Sequence, residues 1–262
     1  MDWLQIVILS LVQGITEFLP VSSSAHLLLP SLLTDWPDQG LAFDVGVHFG
    51  SLIAVVVYFR LELTRMGQAT FSYPVSRNYT SEVDWVCKLA LATLPVVIFG
   101  LFLKDAVEDY LRTLPVIAAA TIGFGLLLWW SDRAPGEREL LNWRDAAIVG
   151  LAQVLALLPG TSRSGITITA ALLLGLNRTT AARFSFLLSI PTIAGAQLLL
   201  SIDLLDEGFE HWPELLASAS IAGLSAYACI HFFIALVNRT GMLPYVIYRL
   251  LLGVVLIGFM VT

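Results

Sequence analysis

Apolar runs long enough to cross a bilayer recur six times in this chain, and that recurrence constrains the fold more than any other feature. They cover roughly 42–60, 85–103, 114–130, 184–202, 214–237 and 244–261, each close to the ~20 residues a helix needs to traverse a hydrocarbon core. In lipid, backbone N–H and C=O groups must be satisfied within the segment, so such spans are helices. Only 13% of the 262 residues are charged, against about 25% in an average soluble domain, too few to clothe a water-facing surface. The expectation is an all-α integral membrane protein, with residues 1–262 forming one membrane domain in the lipid bilayer. No basic patch suggests nucleic acid as a partner, and the formal charge of -6 says little, because orientation follows local Lys/Arg placement. Cys87 and Cys229 both lie inside apolar runs and read as small buried hydrophobes rather than a disulfide framework or a metal site. The chain opens Met1-Asp2-Trp3 without a basic region, so its first apolar stretch is not read as a cleavable signal peptide.

Four further apolar runs, about 3–12, 25–33, 146–158 and 165–176, are too short to span. They form two pairs, each joined by a polar break containing proline. Apolar segments of about 10–14 residues are often re-entrant, and irregular backbone persists at membrane depth only where protein or a water-filled cavity covers it. Each pair is therefore expected to be a helix hairpin that dips in and returns. The pairs also resemble one another: Leu11-Val12-Gln13 leads to Pro20 and Ser22-Ser23-Ser24, and Leu151-Ala152-Gln153 leads to Pro159 and Ser162-Arg163-Ser164, with a one-residue gap. The chain thus divides into a first repeat, 1–131, and a second, 144–262, each one re-entrant hairpin plus three transmembrane helices. Three is odd, so the second repeat is expected to enter the bilayer inverted relative to the first. Paired broken helices in two inverted halves point to a site near the midplane.

Lys/Arg placement orients the chain. Loops on the side away from the termini carry Arg60, Arg65, Arg77, Arg133, Arg138, Arg144, Arg178, Arg183 and Arg239, whereas the side of the termini carries only Lys104 and Arg112 and an acidic loop with Asp203, Asp206, Glu207, Glu210 and Glu214. The positive-inside rule places both termini and the mouth of the first hairpin outward.

The two breaks carry the chemistry. In the first, 13–26, Gln13 and Glu17 are four apart and share a helix face. Ser22 stands where it could cap the returning helix, and Ser23 and His26, three apart, share a face of that helix. A hydroxyl, an imidazole and a carboxylate brought together can form a nucleophile, its base and the base's orienting group, and an ionisable group at membrane depth is costly unless it functions. In the second break, 159–167, Arg163 lies among Ser162, Ser164 and Thr167 at the opening of an apolar helix. Free N–H groups and the helix dipole there attract anions, and the guanidinium fork suits phosphate oxygens. The bland alternative has Arg163 snorkelling or pairing with an acid. Arg249, about a turn inside the last span, is expected to reach the cytoplasmic interface. Asp44 and His48, four apart near the start of the first span, are candidates to face the outer cavity but receive no role.

Gln13-x-x-x-Glu17, 20–26 (Pro-Val-Ser-Ser-Ser-Ala-His) and 159–167 (Pro-Gly-Thr-Ser-Arg-Ser-Gly-Ile-Thr) resemble the signature motifs of the bacterial undecaprenyl-diphosphate phosphatases, also called bacitracin-resistance proteins. Residues 184–191 are similar to a further block of that family, and the resemblance runs nearly the whole chain. It implies hydrolysis of a polyprenyl diphosphate lipid, undecaprenyl diphosphate, to inorganic phosphate and the monophosphate carrier that serves peptidoglycan synthesis, with resistance to bacitracin. It also implies the bacterial cytoplasmic (inner) membrane, a divalent cation, magnesium or calcium, and a homodimer. The family's functional residues fall on Glu17, Ser23, His26, Ser162, Arg163 and Thr167, with Ser164 in the same phosphate-binding stretch. The family's first acidic position accepts Glu or Gln and is Gln13 here, so Glu17 is left to act alone as base, orienter or metal ligand.

The mechanism expected from these residues has Ser23 attacking phosphorus with His26 as its base, Arg163 holding phosphate, and Glu17 orienting His26 or binding the cation. A variant makes His26 the nucleophile. The rival reading is a lipid-phosphate transporter or flippase without hydrolysis, because inverted repeats with broken helices are also transporter architecture; lipid flipping alongside hydrolysis is a further option.

Overall fold

The computed structural model describes residues 2–34, 36, 39–134, 136–207 and 212–261. Glu210 of the acidic loop falls outside them, as do the side chains of Lys104, Asp203, Asp206 and Glu207. Among the described residues the structure is all-helical, with one isolated β-bridge between Arg138 and Leu176. Six helices are long and apolar enough to cross a membrane: α3 (Leu41–Tyr58), α5 (Ser81–Ala106), α6 (Leu114–Asp132), α9 (Arg178–Glu207), α10 (Trp212–Thr240) and α11 (Leu243–Val261). They coincide with the six long apolar runs. Large apolar side chains stand exposed along them, for example Leu251, Val254, Val255 and Phe259 on α11. A contiguous face of this kind has to be covered, and in a multi-pass membrane protein the acyl chains cover it.

The four short helices are α1 (Trp3–Phe18), α2 (Ser23–Leu33), α7 (Trp143–Gln153) and α8 (Arg163–Leu173). Even α1, at 16 residues, reaches only roughly 24 Å at 1.5 Å per residue, short of a ~30 Å hydrocarbon core. It runs beyond the apolar stretch 3–12 because Gln13 and Glu17 turn inward and need no lipid contact. At its start Asp2 and Gln5 form a reciprocal capping box, and Asn142 and Asp145 do the same for α7. A single 3-10 turn, Val154–Leu157, then carries α7 into the second break.

Both breaks turn on a serine with positive φ: Ser22 at φ 74° and Ser162 at φ 71°. Their ψ values, 92° and 114°, lie outside the small left-handed well that L-residues tolerate, and such residues cost on the order of 1–3 kcal/mol each. These serines are 140 residues apart, as are Gln13 and Gln153, so glutamines and serines register with no gap. The one-residue gap serves only to align Pro20 with Pro159.

The packing follows the same correspondence: α1 lies on α10 as α7 lies on α5, and α3 packs on α10 as α9 packs on α5. Backbones approach closely where side chains vanish. A Cβ on Gly50 would sit 2.0 Å from the Ala219 carbonyl oxygen, so α3 and α10 meet through small residues, a common way for membrane helices to associate.

One helix was not anticipated from hydropathy, α4 (Arg60–Ser76). It is largely polar, and Arg183 of α9 reaches its Glu62 at 2.6 Å. On the same side Arg138 forks onto Asp145 at 2.5 and 2.9 Å and also donates to the Leu174 carbonyl. Arg178 forks onto Asp132 at 2.6 and 3.0 Å. Several of the arginines that set the charge asymmetry thus also tie loops to helix ends.

Candidate active site

The two breaks meet. Glu17, 9% exposed near the end of α1, is the hub. Its Oε1 accepts from Arg163 Nη2 at 3.0 Å. Its Oε2 accepts from Gln13 Nε2 at 2.9 Å and from Ser23 Oγ at 2.6 Å. The i, i+4 spacing of Gln13 and Glu17 creates the first of these contacts. The sharp turn at Ser22 brings Ser23, first residue of α2, back over Glu17. Gln13 thus contributes a neutral donor where a second carboxylate would repel.

From the other side, the Ser162 hydroxyl accepts from the Gly165 N–H at 3.1 Å and caps α8. Ser164 Oγ donates to the Leu19 carbonyl at 2.8 Å, crossing between the breaks. Arg163 lies 5.8 Å over the Phe18 ring and donates to the Ser185 carbonyl at 3.2 Å. A buried guanidinium held on several sides keeps its fork aimed at one place.

A cavity of about 270 Å³ opens against this cluster, lined on its polar side by Glu17, Ser22, Ser23, Ser24, His48, Ser162 and Arg163. The rest of the lining is mainly apolar, including Val96, Leu157, Ile193 and Leu200, with Thr192 and Gln197 among them. A pocket that sets a cation and hydroxyls beside apolar side chains suits an amphiphile with an anionic head. Ser164 and Thr167 stand behind it: both are buried, and the Thr167 hydroxyl meets Ser185 Oγ at 2.7 Å. They brace the turn rather than line the cavity. Ser22 lines the cavity but its hydroxyl caps no helix; it lies 3.3 Å from Ser24 Oγ.

Two sequence expectations change. Arg249 does not reach the cytoplasmic interface; it is completely buried. Its guanidinium donates to five carbonyls: Pro20 at 3.2 Å, Gly160 and Thr161 at 2.9 Å, Ala120 at 3.3 Å and Thr121 at 3.0 Å. Three of these belong to the breaks, whose irregular backbone leaves carbonyls without helical partners, and a buried carbonyl has to be satisfied. The second change concerns His26. It hydrogen-bonds neither Ser23 nor Glu17. Its Nδ1 lies 2.6 Å from the Ser22 carbonyl, which can only accept, and its Nε2 lies 2.5 Å from the Tyr248 hydroxyl. Both ring nitrogens are engaged away from the cavity, and the carboxylate that Ser23 meets is Glu17.

Residues 6–255 match the family described as bacitracin resistance protein BacA. The chain is also 52% identical over 265 aligned residues to undecaprenyl-diphosphatase 1 of Pseudoalteromonas translucida (strain TAC 125), with 99% of each chain covered. The chain belongs to the BacA family.

The BacA-family resemblance brought with it a divalent cation, and the donor set tests that expectation. Glu17 is the one carboxylate among the residues lining the cavity, and both its oxygens are engaged. Among the described residues no group of three His, Cys, Asp or Glu converges as a metal site. These side chains do not fit a cation held by the protein alone. Sequence reasoning missed Tyr248 and the bracing role of Arg249, whereas His48 and Asp44 do face cavity space, as their position near the start of the first span suggested. The adjacent Tyr248 and Arg249 carried a signal in retrospect, since an arginine inside an apolar span demands acceptors.

Proposed function

We propose that this chain hydrolyses undecaprenyl diphosphate to undecaprenyl phosphate and inorganic phosphate, returning the carrier to peptidoglycan synthesis and conferring bacitracin resistance. The observation that carries the reading is the continuous chain Ser23–Glu17–Arg163, a hydroxyl on a carboxylate on a guanidinium, at the wall of a cavity of headgroup size. The Ser23 oxygen attacks the terminal phosphorus while its proton passes to Glu17. The bond to the bridging oxygen breaks, and undecaprenyl phosphate leaves. Arg163 and the N–H groups opening α8 hold the phosphate oxygens as charge redistributes. Water then cleaves the phosphoserine. His26 enters as a positioning residue, latching the start of α2 to α11 through Tyr248.

The two halves form an inverted repeat, 1–131 and 144–262, in the bacterial cytoplasmic membrane with both termini outward. The cavity then faces outward: Gln39, Asp44 and Arg112, which line the space adjoining it, all lie on the side of the termini. A flippase needs affinity for the lipid but not a serine hydroxyl poised on a carboxylate, and that contact favours hydrolysis.

Phosphate release by purified protein from undecaprenyl or farnesyl diphosphate tests the proposal, with Ser23→Ala and Arg163→Ala beside the wild type. Loss of one transition-state donor costs on the order of 10²–10³ in kcat, and loss of the nucleophile costs more. A radiolabelled phosphoenzyme should carry its label on serine. Wild-type protein that releases no phosphate from either lipid overturns the proposal, and label on histidine overturns the role of Ser23.

A further inference from the structure

We infer that His48, rather than His26, is the imidazole that handles protons in the cavity, and that it activates the water that cleaves the phosphoserine. The inference rests on the hydrolytic reading above and adds a residue outside both signature breaks.

His48 lies on α3, a helix that contributes to neither hairpin, yet it lines the cavity together with Ser23, Glu17 and Arg163. It also lines the adjoining space of about 340 Å³ that holds Asp44 and Arg112. It therefore stands between the catalytic cluster and the route by which water arrives. Its tautomer is set by the backbone. Nδ1 lies 2.8 Å from the Asp44 carbonyl, an acceptor only, so Nδ1 carries the proton. Nε2 then presents its lone pair, and no protein hydrogen bond to that atom is seen among the described residues. An imidazole fixed at one nitrogen by a backbone carbonyl and open at the other is the form a general base requires. His26 contrasts with it: Tyr248 occupies its Nε2, and it does not line the cavity.

The two steps need different bases. In the first, Glu17 takes the Ser23 proton. In the second, water oxygen bonds to the phosphorus of phosphoserine 23 and the water proton passes to His48 Nε2. The P–Oγ bond breaks, and its electron pair returns to Ser23 Oγ, which recovers the proton held by Glu17. Inorganic phosphate leaves, and His48 releases its proton to the water-filled space. The charged and titratable groups facing His48 are Glu17 from α1, Arg163 from α8, Asp44 on its own helix and Arg112 from the loop before α6.

The test is rapid-quench kinetics on full-length His48→Gln protein in detergent, with farnesyl diphosphate labelled on its terminal phosphate. Glutamine keeps a donor for the Asp44 carbonyl and removes the base, so the melting temperature should stay within a few degrees of wild type. The expected result is a phosphoserine burst of wild-type amplitude followed by turnover slowed about 10²–10⁴-fold, so that the labelled enzyme accumulates. Added imidazole should restore turnover in His48→Gly. Turnover within threefold of wild type overturns the inference, as does slow turnover without accumulated phosphoenzyme. Absence of phosphate release from the wild type is a different outcome, the failure of the hydrolytic reading itself.

Discussion

Replacing Arg249 with methionine should loosen both breaks at once. The guanidinium is the principal donor to the carbonyls of Pro20, Gly160 and Thr161, and it also reaches Ala120 and Thr121 in the middle of α6. Methionine fills a similar volume and donates nothing. The α6 carbonyls keep their helical partners, so the loss falls on the three break carbonyls. Each buried acceptor left unpaired costs about 1–3 kcal/mol. Against that, the variant no longer buries a guanidinium without a carboxylate beside it, which relieves several kcal/mol of desolvation in the wild type. The balance is a net loss on the order of 3 kcal/mol, or roughly 6–12 °C in melting temperature for a chain of this size. Phosphate release should fall further than stability alone explains, because the carbonyls set free are those that hold Ser22 and Ser162 in their strained turns. Thermal unfolding in detergent, paired with kcat measured well below the melting transition, reads both effects. Arg249→Lys, which keeps a charge but not the fan of five contacts, should fall between the two. If Arg249→Met melts within 2 °C of wild type and keeps its kcat, the bracing role is wrong; an arginine that merely snorkelled would give that result.

Three further outcomes follow from the geometry. Gly50→Ala drives a Cβ to 2.0 Å from the Ala219 carbonyl oxygen, so α3 and α10 must separate; a loss at or above the ~1–3 kcal/mol of ordinary overpacking should appear in thermal unfolding, while Gly67→Ala, with open space around it, should stabilise α4 slightly. Glu17→Gln removes the acceptor of the Ser23 proton and leaves Arg163 without its partner, so kcat should drop by about 10²–10⁴ in a phosphate-release assay, with substrate binding reduced less. Burial pushes the Asp145 carboxyl up, but the Arg138 fork and the Asn142 N–H outweigh it and hold Asp145 below the ordinary carboxylate range. Its contribution is therefore fully present above about pH 4, the unfolded value, and is lost as pH falls through the lower folded value. The melting-temperature gap between wild type and Asp145→Asn should accordingly be open at pH 7 and narrow at pH 3.

What could be read from the sequence divides along a physical line. Hydropathy carries the spans, because lipid imposes one rule on every outward-facing side chain, and all six were legible to within a few residues. The hairpins were legible as short runs around polar breaks, and the i, i+4 spacing of Gln13 and Glu17 foretold their contact. The helix α4 was not legible, since polar residues at an interface follow no single hydropathy period. Nor was the partner of His26, because its contact to Tyr248 joins residues 222 apart in the chain. Arg249 was misread for a related reason: snorkelling is the cheap solution for an arginine near a helix end, and nothing local shows that broken backbone elsewhere supplies better acceptors.

That misreading bears on how the site works. An irregular turn inside a membrane needs donors and acceptors from somewhere, and a catalytic turn needs them without surrendering the groups that face substrate. Here the two demands are separated. Arg249 satisfies the carbonyls behind the breaks, Ser164 ties one break to the other through Leu19, and Thr167 and Ser185 brace the base of α8. Ser23, Arg163 and the open end of α8 are thereby left for the cavity. The strain at Ser22 and Ser162 is then intelligible: each turn places the residue after it, Ser23 at one break and Arg163 at the other, on the first turn of a helix that opens at the cavity. The residues that follow the two strained serines thus differ in chemistry, a hydroxyl at one break and a guanidinium at the other, and Glu17 between them touches both.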